Sequence, residues 1–364
     1  MEREKVVFIV GGAGYVGEML AESFAARDDV GKVVVLDKEA QSDYSKKIPK
    51  LIYIKANMSD KNWLEEVARY EPEVVVHTAW QIRAMYGEAP KQWLWNVEGS
   101  NNVFDFTLNL PSVKKFIYFS TASSYSARES NTFDHLFTED EGFRHDDYIY
   151  AYEKKITEEN LEVIYNQLKK EGKQLPQVTV FRPAAITGPR GRYMRIRFGL
   201  QSVLQGNLKG GLINRIITLL TSFVPVTKGW VRQFIHEDDV NDAVTKVIFE
   251  NQDWEYEVFN LVPVSEAVYP DDMAEAVNKK KVTIYPWMVR LAFWFFWHAT
   301  RGRVPTCPHS WRFYSYPLLM SGEKLQHFYK CKYTSKNAFH YTNGRYENLV
   351  PEHNRRHNNV VIEK

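Results

Sequence analysis

The stretch Val6–Leu20 reads VVFIVGGAGYVGEML and decides the interpretation of the rest of the chain. Five apolar residues, Val6–Val10, predict a strand that is buried on both faces. Gly11, Gly14 and Gly17 follow as G-x-x-G-x-x-G, and a helical apolar periodicity comes next. Glycines alone also suit a tight structural turn, but strand, loop and helix in this order favour a dinucleotide-binding turn. Glycine lets backbone N–H groups approach a pyrophosphate, and the helix N-terminus attracts its charge.

A carboxylate stands where such a turn needs one. The apolar run Val33–Leu36 ends in Asp37, twenty residues after Gly17, where an acidic side chain accepts hydrogen bonds from the adenosine ribose hydroxyls. Asp37 would also repel a 2′-phosphate, so the sequence predicts NAD as the cofactor in preference to NADP. Lys38 beside it moderates that preference.

The composition is that of an ordinary globular protein and excludes several classes. The 364 residues are 44% hydrophobic and 25% charged, which suits one large α/β domain with a smaller lobe. A formal net charge of +2 gives no field that favours nucleic acid. Cys307 and Cys331 have neither metal-ligand nor disulfide spacing, and no signal peptide or membrane span is visible. We therefore expect a cytoplasmic protein without a bound metal.

Strands alternate with helices along the first half of the chain. Further strands are predicted at Leu51–Lys55, Val74–Val76, Phe116–Phe119 and Val178–Phe181, with long helices at Gln92–Leu108 and Tyr150–Lys170. This order predicts an α/β fold, a Rossmann-like doubly wound parallel sheet with a smaller C-terminal substrate-binding lobe. The expected domains are 1–182 and, mainly as substrate lobe, 183–364, with segments at about 231–262 returning to the first domain. Cofactor and substrate are expected at the carboxyl ends of the strands.

The second decisive stretch is YAYEK at 150–154. At i and i+4 on a helix, Tyr150 and Lys154 lie on one face, and an ammonium near a phenol lowers the phenol pKa. A tyrosine tuned in this way acts as a general acid or base on a hydroxyl beside a nicotinamide ring, and the lysine can also bind the nicotinamide ribose. Thr121, just past a strand end, can donate a hydrogen bond to the reacting oxygen. An exposed helical pair is the plainer interpretation of Tyr150 and Lys154 taken alone.

The chain resembles an extended short-chain dehydrogenase/reductase of the NAD-dependent epimerase/dehydratase group. The matching motifs fall in family order over roughly residues 5 to 262: GGAGYVG at 11–17, Asp37, HTAW at 77–80, NVEGSNN at 96–102, FIYFSTASSY at 116–125, YAYEK at 150–154, FRPAAITGP at 181–189, RQFIHEDDV at 232–240 and FNL at 259–261.

The resemblance implies a role for each matching residue. Thr121, Tyr150 and Lys154 would form the catalytic triad, with threonine where serine is more usual. The three loop glycines and Asp37 would bind the dinucleotide. Asn57 stands where an aspartate often contacts adenine. The two long helices match those through which relatives pair, so the resemblance also implies a homodimer.

Residues that bear on the substrate point in two directions. Arg232 matches the arginine with which sugar-nucleotide epimerases bind the substrate diphosphate, and Arg190 is a further candidate for phosphate contact; each also suits a surface charge. Against a sugar-nucleotide, Ala185 stands where those epimerases commonly have asparagine. The leading hypothesis is an epimerase or dehydratase that acts on a nucleotide-sugar. The alternatives are a hydroxysteroid-dehydrogenase-like or other alcohol oxidoreductase with net cofactor turnover, and a dinucleotide-binding protein without catalysis.

An aromatic segment, WMVRLAFWFFW at 287–297, has no place in this chemistry. It is long enough for a helix and too short to span a membrane. Three interpretations stay open: packing against the substrate lobe, the wall of a pocket for a lipid-like substrate, and weak contact with a membrane surface.

Overall fold

The computed structural model describes residues 4–195, 215–217, 219, 222–340 and 343–352. The chain divides into two compact units. The first consists of Met1–Ser124, Ile149–Arg182 and Asn241–Phe259, and the second of Tyr125–Tyr148, Pro183–Val240 and Asn260–Lys364.

The strands are β1 (Lys5–Val10), β2 (Val30–Asp37), β3 (Leu51–Lys55), β4 (Val74–His77), β5 (Lys115–Phe119), β6 (Gln177–Pro183), β7 (Ala185–Thr187), β8 (Val224–Val226), β9 (Phe234–His236), β10 (Tyr256–Leu261) and β11 (Lys281–Thr283). The α-helices of the described residues are α1 (Tyr15–Ala25), α2 (Leu64–Ala68), α3 (Ala89–Trp93), α4 (Gly99–Asn109), α5 (Ile149–Lys170), α6 (Glu237–Phe249), α7 (Pro270–Ala276), α8 (Pro286–Ala299), α9 (Glu323–Phe328) and α10 (Ser335–His340).

A seven-stranded sheet in the order β10-β6-β5-β4-β1-β2-β3 organises the first unit. Strand β1 pairs in parallel with β2 on one side and β4 on the other, and β4 pairs in parallel with β5. The valine-rich central strands are buried on both faces, as helices on both sides of a parallel sheet require. The predicted doubly wound sheet is confirmed, and the adjacent carboxyl ends of β1, β4 and β5 gather the loops that follow them.

The helix predicted over Gln92–Leu108 is interrupted. Helix α3 ends at Trp93, a π-helical turn occupies Leu94–Glu98, and α4 begins at Gly99. A π turn holds more residues per turn than an α-helix and often marks a functional position. It changes the direction in which the side chains of α3 and α4 point relative to each other.

The second unit holds two small parallel sheets, β7 with β9 and β8 with β11. The backbone of Arg232 forms an isolated bridge with Val268, and β9 starts two residues later at Phe234. A core that includes Val224, Trp230 and Met273 packs beside these strands. No helix in the described part of the chain has both the length and the apolarity needed to cross a bilayer.

Candidate active site

The glycine loop joins β1 to α1. At two of its glycines a side chain would collide with the backbone. Gly11 has φ of +95°, and a Cβ there would lie 2.4 Å from the backbone nitrogen of Ala79. A Cβ on Gly17 would lie 2.2 Å from the Gly11 carbonyl oxygen, to which the Gly14 N–H donates at 3.0 Å. Backbone packed this closely at a helix N-terminus is what a pyrophosphate cradle requires. The loop therefore fits a dinucleotide.

Asp37 ends β2 and holds the glycine loop in place. Its Oδ2 accepts a hydrogen bond from the Ala13 N–H at 2.9 Å, and its Oδ1 accepts one from the Glu39 N–H at 3.0 Å. Burial raises the pKa of Asp37, and these two donors partly offset that effect. Lys38 pairs with Glu39 at 2.6 Å, so the cation beside Asp37 already has a counter-charge, which weakens its attraction for a 2′-phosphate.

The segment after β4 connects the glycine loop with the end of β5. Thr78 Oγ1 donates a hydrogen bond to the Val10 carbonyl at 3.0 Å, and Ala79 is the residue that a Cβ on Gly11 would strike. The next residue, Trp80, lies with its ring centre 3.8 Å from the Lys154 Nζ. The HTAW motif thus contacts both the dinucleotide turn and the helix that carries the Tyr–Lys pair.

Tyr150 lies in the first turn of α5 and meets Thr121, which follows β5. The two side chains are hydrogen-bonded, which lowers the pKa of the phenol, although burial raises it by more. Ser124 Oγ donates to the Ala151 carbonyl at 3.1 Å, so this turn of α5 is held to the short turn that follows β5. A phenol that shares a proton with a neighbouring hydroxyl is suited to acid–base chemistry on a third hydroxyl group.

Lys154 is buried, with 3% of its surface exposed. Its ammonium donates a hydrogen bond to the Phe119 carbonyl. Burial lowers its pKa to about 7, although the nearby carboxylates of Glu158 and Glu153 oppose the shift. In this structure the pKa of the Tyr150 phenol is shifted by burial and by the Thr121 hydrogen bond. A lowering of that pKa by Lys154 stays a prediction.

Trp80 adds a hydrogen-bond donor that the sequence analysis did not consider. Its indole Nε1 is buried and has no hydrogen-bond partner within the described residues. Buried donors normally have partners, so this nitrogen, next to Lys154, is an exception that needs an explanation. No local pattern in the sequence distinguishes it from a tryptophan of the core.

A buried carboxylate beside Lys154 was also missed. Glu153 Oε2 accepts hydrogen bonds from Gln92 Nε2 at 3.0 Å and Asn96 Nδ2 at 2.7 Å. The same amides accept from the backbone, since Asn96 Oδ1 binds the Gln81 N–H at 2.8 Å and Gln92 Oε1 binds the Met85 N–H at 2.9 Å. Burial raises the pKa of Glu153. The sequence held one indication of this cluster, the i, i+4 spacing of Gln92 and Asn96, because residues at that spacing share a helix face.

Asn57 follows β3, where an adenine contact is predicted. Its Oδ1 accepts a hydrogen bond from the Ser59 N–H at 3.1 Å, which closes a short polar turn. Asn102 of α4 donates to the Met58 and Ser59 carbonyls at 3.2 and 3.1 Å. The turn is thereby held to α4, and the contact of Asn57 with adenine stays a prediction.

Arg232 belongs to the second unit, and one of its two terminal guanidinium nitrogens has no hydrogen-bond acceptor among the described residues. Its Nη1 donates to the carbonyls of Val231 at 2.6 Å and Tyr316 at 2.9 Å, and its guanidinium carbon lies 5.9 Å from the ring centre of Phe313. Its Nη2 is buried and has no hydrogen-bond partner among the residues that the structure describes. Burial lowers its pKa to about 10, so the group stays charged at neutral pH. A fixed cation with a spare donor suits an anionic ligand.

Arg190, the other residue predicted to contact phosphate, is fully buried in the second unit. Its guanidinium carbon lies 4.9 Å from the ring centre of Tyr346. The backbone N–H groups of Arg190 and Gly191 donate to the two carboxylate oxygens of Glu237 at 2.8 and 3.0 Å. A role for its side chain toward phosphate stays a prediction.

Solved structures with the same fold cover nearly the whole chain. UDP-glucose 4-epimerase of Thermotoga maritima, solved with UDP-glucose, is 20% identical, with a TM-score of 0.66 over 93% of this chain and 97% of that one. dTDP-glucose 4,6-dehydratase of Bacillus anthracis, solved with NAD, is 17% identical, with a TM-score of 0.65 over 93% and 95%. UDP-glucose 4-epimerase of Thermus thermophilus, also solved with NAD, is 19% identical, with a TM-score of 0.65 over 93% and 97%.

Sequence comparison gives the family. No curated protein sequence matches the chain. A family model described as NAD dependent epimerase/dehydratase family matches residues 7–261, a range that runs from β1 to the last residue of β10 and includes the glycine loop, Tyr150 and Arg232. The chain belongs to the NAD-dependent epimerase/dehydratase family.

Proposed function

We propose that this protein is an NAD-dependent enzyme that acts on a nucleotide-sugar through transient hydride transfer, as an epimerase or dehydratase. The observation that carries the proposal is the hydrogen-bonded Tyr150–Thr121 pair in the same unit as a glycine loop that fits a dinucleotide. Family membership supports it. The structures with the same fold include enzymes solved with NAD and with UDP-glucose.

The first unit supplies the cofactor contacts. The N–H groups around Gly11, Gly14 and Gly17 would hold the pyrophosphate, and Asp37 would accept from the adenosine ribose. Lys154 would hold the nicotinamide ribose, and Asn57 would contact adenine. When bound, NAD accepts a hydride from the carbon that bears the reacting hydroxyl and later returns it.

The protein's own part in the reaction is proton transfer. Tyr150 would remove the proton of the substrate hydroxyl as hydride leaves the adjacent carbon, and it would return a proton when the carbonyl is reduced again. Thr121, already hydrogen-bonded to that phenol, would donate to the same substrate oxygen and fix its position. Protonated Lys154 would favour the phenolate by its charge.

Arg232 would bind the substrate's diphosphate. Arg232 has a buried donor nitrogen with no partner in the described part of the chain, and a diphosphate supplies the acceptors that such a nitrogen lacks. A carboxylate would satisfy it too, so the experiment below uses substrates with and without a diphosphate. Arg190 is the second candidate for a phosphate contact.

Ala185 supports a second candidate function, an oxidoreductase that acts on a hydroxysteroid-like or other hydrophobic alcohol. Sugar-nucleotide epimerases commonly have an asparagine at this place, and an alanine offers no polar group to a sugar. Such an enzyme would change the redox state of its cofactor with every turnover. An epimerase would not.

The test is to incubate the purified protein with NAD and either UDP-glucose, dTDP-glucose or a panel of hydrophobic alcohols, while the nicotinamide absorbance is followed and products are identified by mass spectrometry and NMR. We expect conversion of a nucleotide-sugar without net accumulation of reduced cofactor. Reduced cofactor formed in proportion to an oxidised alcohol would establish the second candidate. Tight binding of NAD without conversion of any compound would favour a non-catalytic dinucleotide-binding protein.

We also propose a homodimer formed through α4 and α5. Val163, on α5, exposes 65% of its surface, and a shallow groove of about 350 Å³ between the two helices includes Asn101, Asn160 and Val163. Val163→Glu should shift the mass measured by light scattering toward a monomer. The cytoplasm stays our proposed location, since Cys307 and Cys331 are both free thiols.

A further inference from the structure

Helix α8, which contains the aromatic segment, buries only a minor part of its apolar surface. Val289 and Trp297 are buried, whereas five large apolar side chains are between 38% and 64% exposed. The exposed set is Trp287, Met288, Leu291, Trp294 and Phe295. Spacings of one, four, seven and eight residues from Trp287 place these side chains on one side of a helix. We call this set the aromatic face.

The sequence around α8 carries charge of one sign only. From Ala276 to Gly322 the sequence contains no Asp or Glu and seven basic residues, which are Lys279, Lys280, Lys281, Arg290, Arg301, Arg303 and Arg312. The whole chain carries +2, so this segment contributes +7 and the remainder carries −5. The segment that contains the aromatic face is therefore strongly basic in sequence, although Arg312 pairs with Asp147 from elsewhere in the chain at 3.5 Å.

The basic residues that follow the helix are available to a ligand. Arg301 and Arg303 are both exposed, and neither has a salt bridge with another residue of the described ranges. Arg290 lies on α8 itself and is exposed at the edge of the aromatic face. Lys281 differs, because it pairs with Asp271 at 2.5 Å.

We propose that α8 docks on the surface of a bilayer that contains anionic phospholipids, with its aromatic face among the acyl chains near the headgroups. Trp, Phe and Leu on one side of a helix, with arginines beside them, are typical of helices that lie in the membrane interface. The helix of fourteen residues is about 21 Å long, too short to cross the hydrocarbon core. It therefore lies in the plane of the surface.

Two features favour a lipid surface over another protein. The aromatic face offers few hydrogen-bonding groups, whereas protein interfaces carry about one hydrogen bond per 100–200 Å². The absence of acidic residues over a long segment suits a surface of uniform negative charge. A protein partner is usually matched by charges of both signs. This proposal does not depend on the substrate or on the reaction.

The experiment is co-sedimentation of the full chain with vesicles of phosphatidylcholine alone and of phosphatidylcholine with phosphatidylglycerol. We expect binding to the anionic vesicles that weakens as salt is added, and weak binding to the neutral ones. The double variant Trp294→Ser, Phe295→Ser should bind at least about tenfold more weakly, because it removes two aromatic side chains that would enter the bilayer. Arg301→Gln with Arg303→Gln should weaken binding by about tenfold and reduce the salt dependence.

Val264→Ser is the matched control, since Val264 is 55% exposed and lies outside α8. It should bind vesicles as the wild type does. Circular dichroism and light scattering on each variant separate loss of binding from loss of fold. Failure of the wild type to bind anionic vesicles, or equal binding by the Trp294→Ser, Phe295→Ser variant, would overturn the proposal. Dissociation of a dimer by that variant, without vesicle binding by the wild type, would assign the aromatic face to a second copy instead.

Discussion

Helices α5 and α8 distribute polarity in opposite ways. Helix α5 buries charged residues, since Glu153, Lys154 and Glu158 are each less than 5% exposed. Helix α8 exposes tryptophan and phenylalanine. Charged residues are rarely buried unless they are paired, and large exposed apolar patches mark interaction sites. Each helix departs from the usual arrangement in the direction that suits its proposed role, acid–base chemistry for α5 and surface binding for α8.

The difference shows what hydrophobic periodicity can and cannot predict. In both helices the pattern of apolar residues predicts that a helix forms. It does not predict which side is covered, because that depends on elements far away in the sequence. Substitutions on the two helices therefore test whether the buried charges of α5 and the exposed aromatic residues of α8 act as proposed.

The largest effect is expected from Tyr150→Phe in α5. Loss of the phenol hydroxyl removes the general acid–base group, and turnover of the nucleotide-sugar should fall by about 10²–10⁴-fold. NAD binding, measured by calorimetry, and the unfolding temperature should change little, since the ring is retained. Full turnover in this variant would remove Tyr150 from the mechanism.

Glu158→Ala should cause a large loss of stability. The carboxylate receives hydrogen bonds from Arg182 Nε at 2.9 Å and Nη2 at 2.6 Å, and both residues are buried. Removing one partner of a buried pair costs on the order of 3–5 kcal/mol of unfolding free energy. Denaturant unfolding measures it. Lys169→Ala, which breaks the exposed pair with Glu255, is the control and should cost at most about 1 kcal/mol. Equal losses in the two variants would contradict the buried pair's role.

Lys154 should make stability depend on pH. Its pKa in the folded protein is lowered to about 7, below that of an unfolded lysine near 10.4. Between these values the unfolded chain binds a proton that the folded chain has lost, so the lysine's contribution to stability rises with pH. The slope is at most about 1.4 kcal/mol per pH unit. Denaturant unfolding of wild type and Lys154→Met at pH 7 and 9 should show a steeper rise in the wild type, because Lys115, whose pKa burial lowers to about 8, contributes equally to both proteins. A parallel pH dependence in both proteins would contradict the assignment.

Substitutions of Glu153 distinguish a role in positioning the neighbouring backbone from a role in packing alone. In Glu153→Ala, the amides of Gln92 and Asn96 lose their shared acceptor, at a cost of about 1–3 kcal/mol. Glu153→Gln keeps an oxygen acceptor and should recover most of that stability. Because these amides hold the backbone of Gln81 and Met85, the alanine variant should also raise KM. An unchanged KM in a folded alanine variant would assign Glu153 to stability alone.

The smallest effect is expected on the exposed side of α8. Trp294→Ser changes an exposed side chain and should alter the unfolding free energy by no more than about 0.5 kcal/mol. Trp297→Ala, three residues later, removes a side chain that is 7% exposed and should cost on the order of 3–5 kcal/mol. Thermal unfolding of the two variants compares the two sides of one helix. Equal costs would show that the aromatic face is packed in solution.

Residues that depend on backbone geometry were predictable from the sequence. The glycine loop and the parallel sheet follow from local rules, since only glycine fits where Cβ would strike Ala79 or the Gly11 carbonyl. Residues whose importance depends on burial were not predictable. Glu153 looks like a surface glutamate of a helix, and nothing near Arg232 in the sequence shows that one of its nitrogens lacks a partner. Both properties depend on residues brought together by folding.

The π turn at Leu94–Glu98 holds one residue more than the same length of α-helix would. Deleting one residue there would let Ala89–Asn109 become a continuous α-helix with its two ends close to their present orientation, because the turn already absorbs the extra residue. The side chain that would move is Asn96, which lies inside the turn and contacts Glu153 and the Gln81 backbone. One surplus amino acid thus sets where Asn96 stands beside the carboxylate, which makes this stretch sensitive to deletion even where it tolerates substitution.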